Sequence, residues 1–349
     1  MPDRSHPEYL NPRVSERRPM VTVGPELLDD FPRFSLYNSP YAAHDEGCAI
    51  DLYPHEGDWR EGSELREASE GRDADRARET AAPSPVAGEV VAARTVSAPS
   101  KAYAESDDHL VVVDTGEYLA RMLHVEPAVE PGDEVARGDS LGEMIRSGFF
   151  APWVDNHVHL GFRDRDADPV RASGSLPVEL APEVELAAVP WDGRGTVVAA
   201  GDTYAVLDAP DHPAPGEAFA GIAARRGDGD RGGPDAGVLD GGLPHYEGGG
   251  VIDTSDDGIV DAPESGGVSG IGDAAGGGRE ATATVSLFDR RIGAAESRTV
   301  AWDDVTVVAN GTPITGLSFF FAREAIGAKL VCPEADFAVG ETVELRLTR

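Results

Sequence analysis

The chain has little cysteine, almost no lysine and no long apolar run, and each shortage removes a class of function. Its two cysteines, Cys48 and Cys332, lie far apart and form no ligand-spaced pair. They cannot build a disulfide framework, so reduced, buried thiols are expected. No stretch approaches the ~18 consecutive apolar residues of a membrane span. The N-terminal residues through Arg17 and Arg18 hold no apolar core of an export signal. These features predict a soluble, cytoplasmic protein with no membrane partner. Lysine occurs only at Lys101 and Lys329, and Lys plus Arg total 30 against 63 Asp plus Glu, for a formal net charge of −33. Such a chain lacks the basic stripe that neutralises nucleic-acid phosphates, and anionic lipid surfaces repel it.

What is abundant is acid, glycine and proline. At 349 residues, with Gly 41 and Pro 26, the chain suits two domains rich in β-structure, turns and long loops. Its charge would strain a compact state by self-repulsion in ordinary buffer. At molar salt the Debye length shrinks to roughly 3 Å and the repulsion is screened. An acidic surface with nearly no lysine resembles proteins adapted to a very salty cytoplasm, as in haloarchaea.

Composition along the chain divides it. Residues 1–33 are polar and punctuated by proline, which predicts an arm lying over a domain. A first domain is expected over 34–182, interrupted at 55–82 by a charged insertion. Within it, His109–Asp114 and Tyr118–His124 predict a hairpin about Thr115 and Gly116. Residues 187–349 predict a smaller C-terminal β-domain, a sandwich or partial barrel, with a Gly/Asp-rich loop over 225–279. The fold class expected is all-β.

The densest chemistry lies in Asn156-His157-Val158-His159, which runs into Leu160 in a strand pattern. Side chains alternate faces along a strand, so His157 and His159 point the same way, about 7 Å apart. Two imidazoles on one face can divide the work, one binding a metal and one handling a proton. Around them the motifs follow an order. A strand ends in Asp51, followed by the turn Pro85-Val86-Ala87-Gly88-Glu89-Val90. Next come a strand closing on Leu123-His124, the double turn Gly132-Asp133-Glu134-Val135-Ala136-Arg137-Gly138, and finally His157-Val158-His159-Leu160.

That ordered set, over roughly residues 35–180, resembles the lysostaphin/LytM-type zinc endopeptidases, whose β-sheet domain is the duplicated hybrid motif. The resemblance implies a barrel-like β-domain, one Zn2+ per chain and hydrolysis of a peptide or peptide-like ligand by metal-activated water. It implies His159 and Asp51 as metal ligands, and His157 and His124 as the histidines that assist the attacking water. In the family the remaining ligand is a histidine four residues before the aspartate. Here that position is Gly47, and the nearest histidine is His44. An odd spacing puts His44 on the wrong face of a continuous strand, but Gly47 permits a bend that could bring it in. Cys48 is the other candidate, although on a regular strand it faces away from Asp51. A second departure is Phe149-Phe150-Ala151-Pro152-Trp153, expected to narrow or cap the groove.

Two other readings follow from the same residues. If the metal site is incomplete, His157 and His159 are groove histidines bonded to Asp51, His124 is a core histidine, and the protein is a non-catalytic binding scaffold. The Gly132–Gly138 turn also occurs in biotinyl and lipoyl carriers, but Lys101 does not sit where such a carrier needs its lysine. His55, His109, His212 and His245 are expected at the surface.

Overall fold

The computed structural model describes residues 19–55, 80–227, 235–254 and 282–349. Most of the charged segment 55–82 and the later part of the Gly/Asp-rich segment fall outside the described residues. The chain is all-β in two domains, as its composition predicted, with one α-helical turn among the described residues, at Ala42–Asp45.

In the N-terminal domain one antiparallel sheet runs in the order Arg33–Ser35, Ala49–Tyr53, Val158–Asp164, Tyr118–Leu123, Asp107–Asp114, Gly88–Ser97 and Glu134–Val135. The last two long pairings include the expected hairpin, turned through Thr115 and Gly116. A second sheet of Ala81–Pro83, Ser140–Met144 and Val125–Pro127 closes over it. Strand alternation sorts the side chains of the main sheet. Ile50, Leu52, Val158, Leu160, Met122 and Val111 enter the core between the sheets. Asp51, His159, Leu123 and Arg121 are left on the other face, which is the face that matters for chemistry.

The segment read as an arm behaves differently where it is described. Val21–Val23 pairs in parallel with Val178–Leu180, and Leu28 and Phe31 are fully buried. Four well-spaced apolar residues outweigh the surrounding polar composition, so the segment belongs to the core.

In the C-terminal domain six antiparallel strands close on themselves. Phe219–Gly227 pairs with Asp235–Leu243, which is followed by Gly248–Asp253, Thr299–Trp302, Arg290–Glu296 and Ala283–Leu287 before the ring returns to Phe219–Gly227. The result is a barrel rather than a sandwich, filled by Leu239, Val251, Val285, Ile292 and Val300. Two of its strands lie inside the stretch 225–279 that composition marked as a loop. The glycines there serve close packing. A β-carbon on Gly250 would come within 2.3 Å of the Tyr37 ring, and one on Gly249 within 2.1 Å of Trp302.

The two domains share a sheet edge. Arg33 and Phe34 pair with Ala322 and Phe321, and Ala322 pairs in turn with Ala220. Phe34 stacks on Phe321 at 4.7 Å and meets Phe219 edge-on at 4.8 Å. The C-terminal domain therefore bears directly on the strand that leads into the site.

Candidate metal centre

Antiparallel register places His159 directly opposite Asp51. Both lie on the outer face of the sheet, and His159 Nδ1 approaches Asp51 Oδ1 to 2.9 Å. His44 arrives from the helical turn Ala42–Asp45 rather than from the strand. Its Nε2 lies 3.2 Å from Asp51 Oδ1 and 3.1 Å from His159 Nδ1. The bend that brings it in is made at Gly47, whose φ is +62°. Cys48 is buried elsewhere, with its thiol toward the Glu46 carbonyl, and takes no part in the group.

The position of Gly47 leaves no room for a histidine side chain. A β-carbon at this position would lie 2.7 Å from Arg298 Nη2 and 3.0 Å from Tyr37 Oη. Arg298 donates to the carbonyls of Gly47 and Val178, so the guanidinium is not free to move aside. Gly47→His is expected to lower stability by about 1–3 kcal/mol, through left-handed backbone strain and overpacking. It should add no metal site, and thermal unfolding beside zinc content checks both points.

The rings are held in fixed tautomers. His44 Nδ1 lies 2.7 Å from the Leu36 carbonyl, and His157 Nδ1 lies 2.9 Å from the Asp155 carbonyl. A carbonyl can only accept, so each Nδ1 carries a proton and each Nε2 is turned inward. His124 Nδ1 lies 2.6 Å from Asp108 Oδ2, which also accepts the Ser147 hydroxyl at 2.5 Å. His157 Nε2 faces Asp51 Oδ2 at 3.4 Å. The His124 ring stands 5.4 Å from His157 and 5.8 Å from His159. Of the five residues expected at a site, Asp51, His124, His157 and His159 line one cavity, and His44 reaches it through its contacts with Asp51 and His159.

Electrostatics follow from this crowding. Burial alone would raise the Asp51 carboxyl, but His157 and His44 hold it well below the usual carboxylate range. Burial alone would lower His44, yet Asp51's charge and hydrogen bond raise it above an ordinary histidine. For His159 burial wins over Asp51, and its pKa falls to about 4. His124 is likewise lowered by burial in spite of Asp108. Two of these rings therefore favour the neutral form that binds metals or accepts protons.

The donor set fits zinc. Oδ1 of Asp51, Nε2 of His44 and Nδ1 of His159 form a nearly equilateral triangle with edges of 2.9, 3.1 and 3.2 Å. Ligand atoms about 2.0–2.1 Å from a tetrahedral metal lie roughly 3.3 Å apart, close to those edges. Chemistry is consistent with geometry, since the inward Nε2 of His44 faces a carboxylate oxygen, a contact that either a metal cation or a proton satisfies. Two nitrogens and one oxygen with an open fourth position is the composition of a hydrolytic zinc site.

A cavity of about 430 Å³ opens over the group, with walls that include Tyr41, Leu110, Phe149, Phe150 and Val170. Phe150 packs against both His157 at 4.4 Å and His124 at 4.6 Å. The aromatic pair thus shapes the groove, as its sequence position suggested. His124 has a left-handed backbone, φ +73°, and both its backbone N–H and its ring are bonded to Asp108. Elsewhere His245, expected at the surface, packs against Trp153 and Tyr246 and is apart from the Asp51 group.

Several supporting residues carry no sequence signal of their own. Asp108 orients His124. Asp155 supplies the carbonyl for His157, and its carboxylate meets Arg33 at 2.6 Å and Lys329 at 3.0 Å. Asp240, fully buried on a barrel strand, accepts from Ser35 Oγ and from the Leu36 and Tyr37 amides at 2.5, 2.6 and 3.1 Å. Burial pushes the Asp240 carboxyl up to about 6 against those donors. Asp108 and Asp155 sit beside or near histidines in the chain, which is a faint signal. Asp240 and Lys329 are distant in sequence and only the fold brings them in.

The Asp155 group makes a pH prediction. Burial alone would push its carboxyl up, but Lys329 and Arg33 hold it below the ordinary range. An unfolded aspartate titrates near ~4. The group's stabilisation is therefore present above about pH 4 and is lost as pH falls through the lower native value. Lys329→Met is expected to cost about 2 kcal/mol at neutral pH and to move acid unfolding to higher pH. Circular dichroism across an acid titration of both proteins reads this directly.

Fold and site together define a two-domain β-protein with a histidine–aspartate group set in a mainly apolar groove. Residues 22–180 match the family described as Domain of unknown function (DUF8155) N-terminal domain. Residues 187–348 match its C-terminal domain, so the chain carries the two DUF8155 domains in order, joined by residues 181–186. No curated protein matches the chain.

Proposed function

We propose that this protein is a zinc-dependent hydrolase of the lysostaphin/LytM type, acting on a peptide or peptide-like bond. The observation that supports it best is the triangle of ligand atoms from His44, Asp51 and His159, with His157 and His124 beside it. The sequence resemblance implies roles for four of these residues, and His44 stands in for the remaining family ligand. A bound zinc supplies Lewis acidity to the substrate carbonyl and lowers the pKa of water. Asp51 contributes the negative charge that holds a dication in a buried place. His157 and His124, each fixed by a donor bond from Nδ1, hold or move a proton at Nε2. The apolar walls exclude bulk water and strengthen each of these interactions.

The test combines metal and activity. Purified protein should hold about one zinc per chain by mass spectrometry and cleave members of a quenched-fluorescence peptide library. His157→Ala should retain the zinc and lose activity by about 100-fold or more, the usual scale for general acid–base groups. A second reading is favoured by the raised pKa of His44. There a proton rather than a metal lies between His44 and Asp51, and the groove binds peptides without cutting them. Peptide binding with no zinc uptake would select that reading.

A further inference from the structure

The groove floor carries a charge that the metal centre does not use. Arg121 lies on the Tyr118–Leu123 strand, on the same face as Leu123, and is 7% exposed. It lines the cavity together with His159, His124 and Leu110. Leu123 is paired with His159 and Arg121 with Gly161, so Arg121 stands two residues, about 7 Å, along the strand from the metal ligand. Gly161 offers no side chain between them.

The guanidinium is held but not neutralised. Its Nε donates to the Pro169 carbonyl at 2.9 Å, and no carboxylate of the described residues forms an ion pair with it. Its charged neighbours are Arg163, fully buried and donating to the Asp168 carbonyl at 3.4 Å, and the Asp168 carboxylate, which acts on it from beyond ion-pair distance. Burial, reinforced by Arg163, lowers the Arg121 pKa to about 10, which leaves it cationic at neutral pH. In a chain with 63 acidic residues against 30 basic ones, Arg121 and Arg163 are both buried without an ion-paired acid among the described residues. A buried charge is ordinarily paired.

We infer that Arg121 is a specificity residue, an anion subsite that receives a carboxylate of the substrate while the peptide bond next to it lies at the metal centre. The inference rests on the hydrolase reading only for that placement of the reacting bond. An extended peptide advances about 3.3 Å per residue, so the acid group falls about two residues from the reacting carbonyl. Arginine meets a carboxylate through paired N–H donors, and the Pro169 carbonyl occupies only the Nε of Arg121. The apolar walls leave room for small or hydrophobic side chains on either side. The carboxylate has two sources, a free C-terminus or an acidic side chain.

Calorimetry on the intact protein with three probes separates them: acetyl-trialanine as the free acid, its C-terminal amide, and acetyl-Ala-Glu-Ala-amide. One of the two acids should bind about 10-fold tighter than the neutral amide, and which one does identifies the source. Arg121→Gln should erase that preference while zinc content stays at the wild-type value. Arg121→Lys, which keeps the charge and the packing, should retain a reduced preference. No preference for either acid, including no binding of any probe, overturns the subsite. So does a preference that survives unchanged in both variants. If it survives there but vanishes when zinc is stripped, the carboxylate rides on the metal and the hydrolase reading stands alone. Zinc-free protein that still prefers acids through Arg121 preserves the subsite and removes the hydrolase reading.

Discussion

Replacing His44 with alanine is expected to abolish stoichiometric zinc binding, lowering affinity by more than about 100-fold. Residues that only orient a ligand typically account for about 10–100-fold, and His44 supplies a donor atom. His159→Ala should do the same, because the triangle of His44, Asp51 and His159 has no spare member: Cys48 is turned away and His157 faces the other Asp51 oxygen. Stability should fall too in the presence of zinc, since a metal bound only by the native state stabilises it by mass action. The sharp comparison is thermal unfolding with and without added zinc. Wild type should gain stability on zinc addition, and neither variant should. A zinc-dependent rise in His44→Ala would mean that the cation sits elsewhere in the groove.

Asp240→Ala is expected to be the most destabilising single substitution outside the apolar core, by about 3–5 kcal/mol. The change strands the Ser35 hydroxyl and the amides of Leu36 and Tyr37, each buried and each left without an acceptor. An unsatisfied buried donor costs about 1–3 kcal/mol. Asp240→Asn keeps one acceptor oxygen and should cost less. The effect should extend beyond stability. Leu36 is the residue whose carbonyl orients His44, so Asp240 reaches the candidate metal centre through two hydrogen bonds joined by the Leu36 backbone. Zinc affinity in Asp240→Asn should fall several-fold even at temperatures where the protein remains folded. Chemical denaturation and a competitive zinc titration on the same samples separate the two effects.

Part of this site is legible in the chain because strands count in twos. His157 and His159 share a face by spacing alone, and Asp51 between Ile50 and Leu52 is a carboxylate where alternation asks for a reason. His44 is harder, since its place depends on a bend at Gly47 that spacing permits without requiring. Gly47 itself reads as a missing ligand until the crowding by Arg298 and Tyr37 is seen. The glycine-rich barrel strands were hidden for the opposite reason. Composition counts glycine as loop, whereas Gly249 and Gly250 are small because aromatic rings press on them. Asp240 and Lys329 belong to another domain, and no local pattern announces that one anchors the turn before His44 and the other the carboxylate before His157. Arg121 is invisible as well, because one arginine in a strand has no signature until the fold sets it in the cavity wall.

His124 adds a consequence for the history of the chain. Its left-handed backbone, held by two bonds to Asp108, is a conformation that glycine or asparagine adopts at lower cost, by roughly 1 kcal/mol. Drift under selection for stability alone would therefore erode this histidine early. Descendants that keep an imidazole here would mark lineages still selected for whatever the groove does, whereas a glycine at this position would mark lineages released from it.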